Sequence, residues 1–142
     1  MLQYKTDQEI FDQGLNHILK QGKPSIKNDK CKYRDGEGSS CIIGCMIPDD
    51  LYDKKFEGKS VLALFNQPDF MKALERARIG ESHTRGKLAL WSNTCLLTEM
   101  QKCHDRASDK ADFIAEFKTQ MSDLAISFGL KFNPTGNKDD AV

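Results

Sequence analysis

Along most of the chain, apolar residues recur at intervals of three and four, the period of a helix that buries one face. Ile10, Phe11, Leu15, Ile18 and Leu19 form the first stripe, preceded by Thr6-Asp7-Gln8-Glu9. That tetrapeptide has the form of a capping box, in which a hydroxyl and a carboxylate each take up a free backbone N–H. Gly22 and Pro24 supply the stop, so the pattern predicts a helix from Asp7 to Gln21. After Pro68-Asp69, the residues Phe70, Met71 and Leu74 repeat the pattern up to Gly80. Leu90, Leu97, Met100 and His104, flanked by Leu96 and Cys103, predict a longer helix over 88–106. Phe113, Ile114, Phe117, Met121, Leu124, Ala125 and Phe128 form the most continuous stripe, with Ser108 or Asp109 as cap and Gly129 as stop. The first and last helices are expected to pack together as the core.

The middle of the chain reads differently. Residues 30–34 alternate in character, and Asp35-Gly36-Glu37-Gly38 tolerates positive φ, which points to a small β-hairpin near residues 30–41. Ser39 or Ser40 then caps a short helix carrying Cys41, Ile42, Ile43, Cys45, Met46 and Ile47. The β-branched Ile42-Ile43 pair equally suits a buried strand, and the helix is preferred because Pro48 ends the run. Pro48-Asp49-Asp50 opens a further single turn, and Ser60 caps another over 61–65. Beyond Phe132 the sequence NPTGNKDDAV has no apolar period. The fold class is therefore mainly α (α+β): one compact helical domain over 1–132 with a small hairpin, and a flexible tail over 133–142.

Charge changes the picture little. Lysine plus arginine and aspartate plus glutamate number 21 each, so no overall field favours a polyanion, which argues against a nucleic-acid partner. The basic residues Lys20, Lys23, Lys27, Lys30, Lys32 and Arg34 are opposed locally by the single acid Asp29, giving a lysine-rich stretch suited to solvent, to phosphate or to an acidic protein surface. No apolar run approaches the ~18–20 residues that cross a bilayer, and the N-terminus lacks the apolar centre of a signal peptide. No membrane is expected, and the location is read as cytoplasmic. Five cysteines, an odd number without a secretory signal, favour free thiols.

Candidate chemistry concentrates between Cys31 and Gly58. A zinc shell of Cys31, Cys41, Cys45 and His104 has suitable ligand types, but lacks a tight CxxC knuckle, so small buried thiols are preferred and no metal or cofactor is assigned. A cysteine-dependent hydrolase or transferase would use Cys41 at a helix start as nucleophile, His104 as base and an acid such as Asp49 or Glu57 as orienter. Asp105 is passed over as orienter, because neighbours on a helix diverge by roughly 100°. Tyr33, Arg34, Asp49, Tyr52 and Glu57 form a candidate polar binding set, in which Arg34 either anchors an anionic ligand or pins the hairpin to the segment after Pro48. His17 and His83 read as surface histidines and Trp91 as a core residue.

Cys31, Tyr33, Arg34, Gly38, Cys41, Ile43-Gly44, Ile47-Pro48-Asp49, Tyr52 and Glu57-Gly58, with His104-Asp105 further on, carry a resemblance. The chain resembles a family of small, functionally uncharacterised proteins of tailed bacteriophages and some bacteria, over residues 9–130. The segment 66–90 departs from that family by being longer and more charged. The resemblance implies a phage protein acting in the bacterial cytoplasm and brings no activity or cofactor. The preferred function is a phage-encoded accessory protein that binds and modulates a bacterial host or defence protein. The alternatives are the cysteine enzyme and a small zinc-stabilised binding module.

Overall fold

The computed structural model describes residues 3–80 and 95–134. Helix α1 spans Asp7–Gln21, with the Thr6 hydroxyl accepting from the Glu9 N–H and the Glu9 carboxylate accepting from the Thr6 N–H. Gly22, at φ 77°, ends it in the left-handed conformation that glycine adopts without steric cost.

Two short antiparallel strands follow, β1 at Ile26–Lys27 and β2 at Lys30–Cys31. They are joined by Asn28 and Asp29, both at positive φ (56° and 64°), which is the geometry of the tight hairpin turn that matches strand twist. The paired strands thus begin earlier than the alternation after Lys30 implied. The Asp35–Ser39 turn lies inside residues 30–41 as expected, but a single bridge between Arg34 and Ser40 closes it. Asp35 accounts for that shape, because its Oδ1 accepts the N–H groups of Glu37 and Ser39 and folds the loop onto itself.

Helix α2 is Ile42–Met46. Its cap is Cys41 rather than Ser39 or Ser40, since the Cys41 thiol accepts the Gly44 N–H at 3.5 Å. Two single 3-10 turns follow at Asp49–Leu51 and Lys54–Phe56. Helix α3 at Val61–Leu64 is capped by the Ser60 hydroxyl, and α4 at Pro68–Arg76 starts on its proline. Helix α5 is Leu96–Ala107. Residues 88–94 of the expected long helix, together with His83, Trp91 and most of the expected tail, lie outside the described residues. Helix α6 is Phe113–Phe128, capped by Asp112 rather than Ser108 or Asp109. Ser108 instead closes α5, where its hydroxyl donates to the Asp105 carbonyl at 2.7 Å.

Helix α5 is the centre of the packing. It lies against α6, α2, α1 and α3, so the first and last helices are joined chiefly through it rather than to each other. Gln8 of α1 also exchanges two hydrogen bonds with the backbone of Lys131 just beyond α6. Buried side chains of the six helices among the described residues form one cluster, including Phe11, Ile42, Leu64, Phe70, Leu97 and Phe117, each contributing about 1.5–3 kcal/mol by burial. Helix α1 comes close to α5 through Gly14, where a Cβ would stand 2.4 Å from Met100 Cε. Among the described residues, no helix is long and apolar enough to cross a membrane.

Candidate functional site

The stretch between Cys31 and Gly58 folds around the carboxylate of Glu57. Its Oε1 accepts the Tyr33 N–H at 2.9 Å, and its Oε2 accepts the Arg34 N–H at 3.0 Å and the Tyr52 hydroxyl. Four of the five residues in the candidate binding set are thereby joined directly. Tyr33 itself is buried and donates its hydroxyl to the Lys59 carbonyl. Burial pushes the phenols of Tyr33 and Tyr52 well above their usual range, and for Tyr52 the hydrogen bond to Glu57 adds to the effect.

Arg34 is held at its other end as well. Its guanidinium donates to the carbonyls of Gly44 and Ile47 at the end of α2, where unpaired carbonyls favour a cation. It also pairs with Asp49 at 2.7 Å and lies over the Tyr52 ring, 4.9 Å from the centroid. Because the Asp49 side chain is 96% exposed, that pair adds only about 0–1 kcal/mol, and the carbonyls position the side chain. Of the two roles open to Arg34 in the sequence, the structure shows the second: it pins the hairpin region to the segment around Pro48.

Cys41, His104 and Asp49 are not brought together. The Cys41 thiol is fully buried at the start of α2, and desolvation keeps its pKa far above that of a free thiol despite the Gly44 N–H. Asp49 is paired with Arg34. His104 is fully buried, and its Nε2 accepts the Ser25 backbone N–H at 3.1 Å. An accepting Nε2 leaves the ring proton on Nδ1, which donates to Asp105 Oδ1 at 2.9 Å. Asp105 therefore does orient His104 from the next position in the helix, contrary to the argument from helical divergence, because the side-chain torsions bring the two groups back together. With one nitrogen protonated and the other blocked by a backbone donor, the imidazole has no site free to take a proton from Cys41.

The cysteines do not gather into the four-ligand shell considered from the sequence. The Cys45 thiol donates to the Ile42 carbonyl, and burial raises its pKa to about 12. Among the described residues, the groups that do converge are Cys31, His104 and Asp105, whose potential ligand atoms lie within 4.8 Å of one another. Their chemistry does not suit a metal. Ligation through His104 Nδ1 would remove its proton while Nε2 still faced the Ser25 N–H, whereas a metal-bound histidine normally donates from its second nitrogen.

The sequence reading missed Gln101 and Ser25, and it weighed Asp105 but set it aside. Gln101 is buried on α5, and its Oε1 accepts the Ile43 N–H, one of the free donors of α2, while its Nε2 donates to Asp105. The signal was a polar residue within the apolar stripe between Leu97 and His104. Nothing local marked Ser25. His17 is similarly engaged, with Nε2 within 2.9 Å of the Ser40 hydroxyl and 3.0 Å of its carbonyl.

Besides a hollow of about 600 Å³ between His17, Arg34, Ser40, Gly44 and Asp49, two concave surfaces adjoin these networks. One, of about 300 Å³, lies between Cys31, Lys59, Val61, Gln101 and Asp105. The other, of about 450 Å³, opens beside the Arg34, Tyr52 and Glu57 cluster, with Lys27, Lys32 and Lys54 among its walls. In comparisons with known proteins, the chain matches no family model, no curated protein and no solved structure.

Proposed function

We propose that this chain works by contact rather than by covalent chemistry, as a small phage-encoded accessory protein that binds and modulates a bacterial host or defence protein in the host cytoplasm. One observation carries the reading. The groups best suited to catalysis are occupied inside the fold: Cys41 by the Gly44 N–H, both nitrogens of His104 by Ser25 and Asp105, and Glu57 by three donors. These bonds make a rigid platform and leave recognition to the outside of the molecule. The basic stretch is available for that purpose, since the side chains of Lys20, Lys23, Lys27, Lys30 and Lys32 enter no ion pair among the described residues. Uncompensated lysines on one segment favour encounter with an acidic protein surface. The phage and host setting rests on the resemblance carried by Cys31 to Gly58 and the His104-Asp105 pair.

The test is affinity capture from phage-infected bacteria at several times, followed by reconstitution of the captured protein with purified chain. A binding protein forms a complex of fixed stoichiometry, and its effect saturates when the partner is fully complexed. An effect completed by a small fraction of an equivalent, with turnover, would overturn the reading in favour of an enzyme.

A further inference from the structure

The hollow beside Tyr52 has an unbalanced charge. It is lined by four cations, Lys27, Lys32, Arg34 and Lys54, and two acids, Asp35 and Glu57. Both acids are already occupied, Asp35 by the N–H groups of Glu37 and Ser39, and Glu57 by Tyr33, Arg34 and the Tyr52 hydroxyl. Arg34 is neutralised by Asp49. The ammonium groups of Lys27, Lys32 and Lys54 have neither hydrogen-bond nor ion-pair partners among the described residues. They arrive from three separate segments: β1, the residue after β2, and the turn Lys54–Phe56. The Lys27 Nζ lies beside Gly36, 4.0 Å from where a Cβ at that position would stand.

We propose that this hollow binds the phosphate group of a small phosphate ester, with Lys27, Lys32 and Lys54 as its ligands. Three mobile point charges from different directions suit the oxygens of a tetrahedral, multiply charged anion. A planar carboxylate is better matched by the fork of an arginine, and the arginine here is held by α2 carbonyls and Asp49. The volume of about 450 Å³ exceeds what a bare phosphate fills and falls in the range of small-molecule sites, with the half-buried Tyr52 beside the ester portion. Lys27 and Lys32 belong also to the basic stretch offered to a protein partner, so phosphate binding is measured on the chain alone, and its failure leaves the contact function standing.

Isothermal titration of the full chain with pyrophosphate, AMP and ATP tests it, with citrate as a carboxylate of comparable charge. Saturable binding of at least one phosphate compound at one site is expected, weakening as salt rises, and the order of the three affinities tells a terminal monoester from a polyphosphate. Lys32→Ala, and Lys27→Ala combined with Lys54→Ala, should each weaken it by about tenfold or more. Lys110→Ala and Lys118→Ala, outside the hollow, should leave it unchanged. Absence of saturation with all three phosphates, equal binding of citrate, or equal loss in the Lys110 and Lys118 variants would overturn the proposal.

Discussion

Glu57 grips Arg34 by its backbone, with Oε2 3.0 Å from the Arg34 nitrogen, while the guanidinium of the same arginine reaches the last carbonyls of α2. One residue thus couples three segments that are remote in sequence: the chain after the hairpin, the end of α2 and the turn preceding Gly58. This linkage accounts for the concentration of special residues between Cys31 and Gly58 without assigning any of them to catalysis.

Removing the carboxylate should therefore loosen the whole region. Glu57→Ala leaves two backbone N–H groups and a half-buried hydroxyl without their acceptor, and should cost about 2–4 kcal/mol in urea unfolding. Glu57→Gln keeps one acceptor oxygen and should recover part of that loss. An Ala variant as stable as the parent would remove the linkage from the account.

Gly44 and Gly14 should respond very differently to alanine. At Gly44 a Cβ would stand 1.8 Å from the Tyr33 carbonyl oxygen, which is fixed by its hydrogen bond from Cys41, so Gly44→Ala should cost more than about 3 kcal/mol or prevent folding. At Gly14 the obstacle is the end of the flexible Met100 side chain, so Gly14→Ala should cost only about 1–2 kcal/mol. Thermal melts of the two variants decide the order.

Much of this organisation was legible wherever the relevant interactions are local. The Thr6 and Glu9 caps, the Gly22 stop and the Ser60 cap all act within a few residues, and each stands where the sequence implied. The α6 stripe was equally clear, although its start shifted because Ser108 closes α5 instead of opening α6. The polar network was not legible, since the Ser25 to His104 bond spans 79 positions and the Ile43 to Gln101 bond spans 58. No spacing rule links residues that meet only after the helices pack. Tyr33, Arg34, Asp49, Tyr52 and Glu57 meet in the fold, as an arginine, two tyrosines and acids in a short stretch tend to, but which acid would hold the backbone depended on the packing.

Among the described cysteines, Cys31 is the exposed one and should react first with a disulfide reagent in the native protein. It should still react more slowly than a free thiol, because partial burial and then the nearby Asp105 charge raise its pKa. Asp105→Asn removes that charge while retaining an acceptor for His104, and should speed the reaction. Cys41, Cys45 and Cys103 should label only on opening of the fold, burial holding the last two near a pKa of about 12. Stopped-flow labelling of single-cysteine variants checks the order.

Acid sensitivity should involve Asp35. Burial opposes its ionisation, but the Glu37 and Ser39 N–H bonds and nearby Lys23 outweigh it, leaving the folded pKa below the ordinary carboxylate value. Stability from this group is therefore complete above the unfolded pKa of about 3.9 and lost as pH falls through the lower folded value. Asp35→Asn should lower stability at neutral pH and flatten the acid limb of a stability-against-pH curve. An unchanged acid limb would mean that Asp35 titrates alike in the folded and unfolded chain.

The most direct measurement of the proposed contact function is the effect of Cys41→Ser on the activity proposed for the chain in phage-infected cells, read alongside its melting temperature. Serine can accept the same Gly44 N–H, so the account predicts a folded protein, changed in stability by no more than about 1–2 kcal/mol, that retains its partner and its full effect. A variant that folds and melts like the parent yet has lost all activity would contradict it.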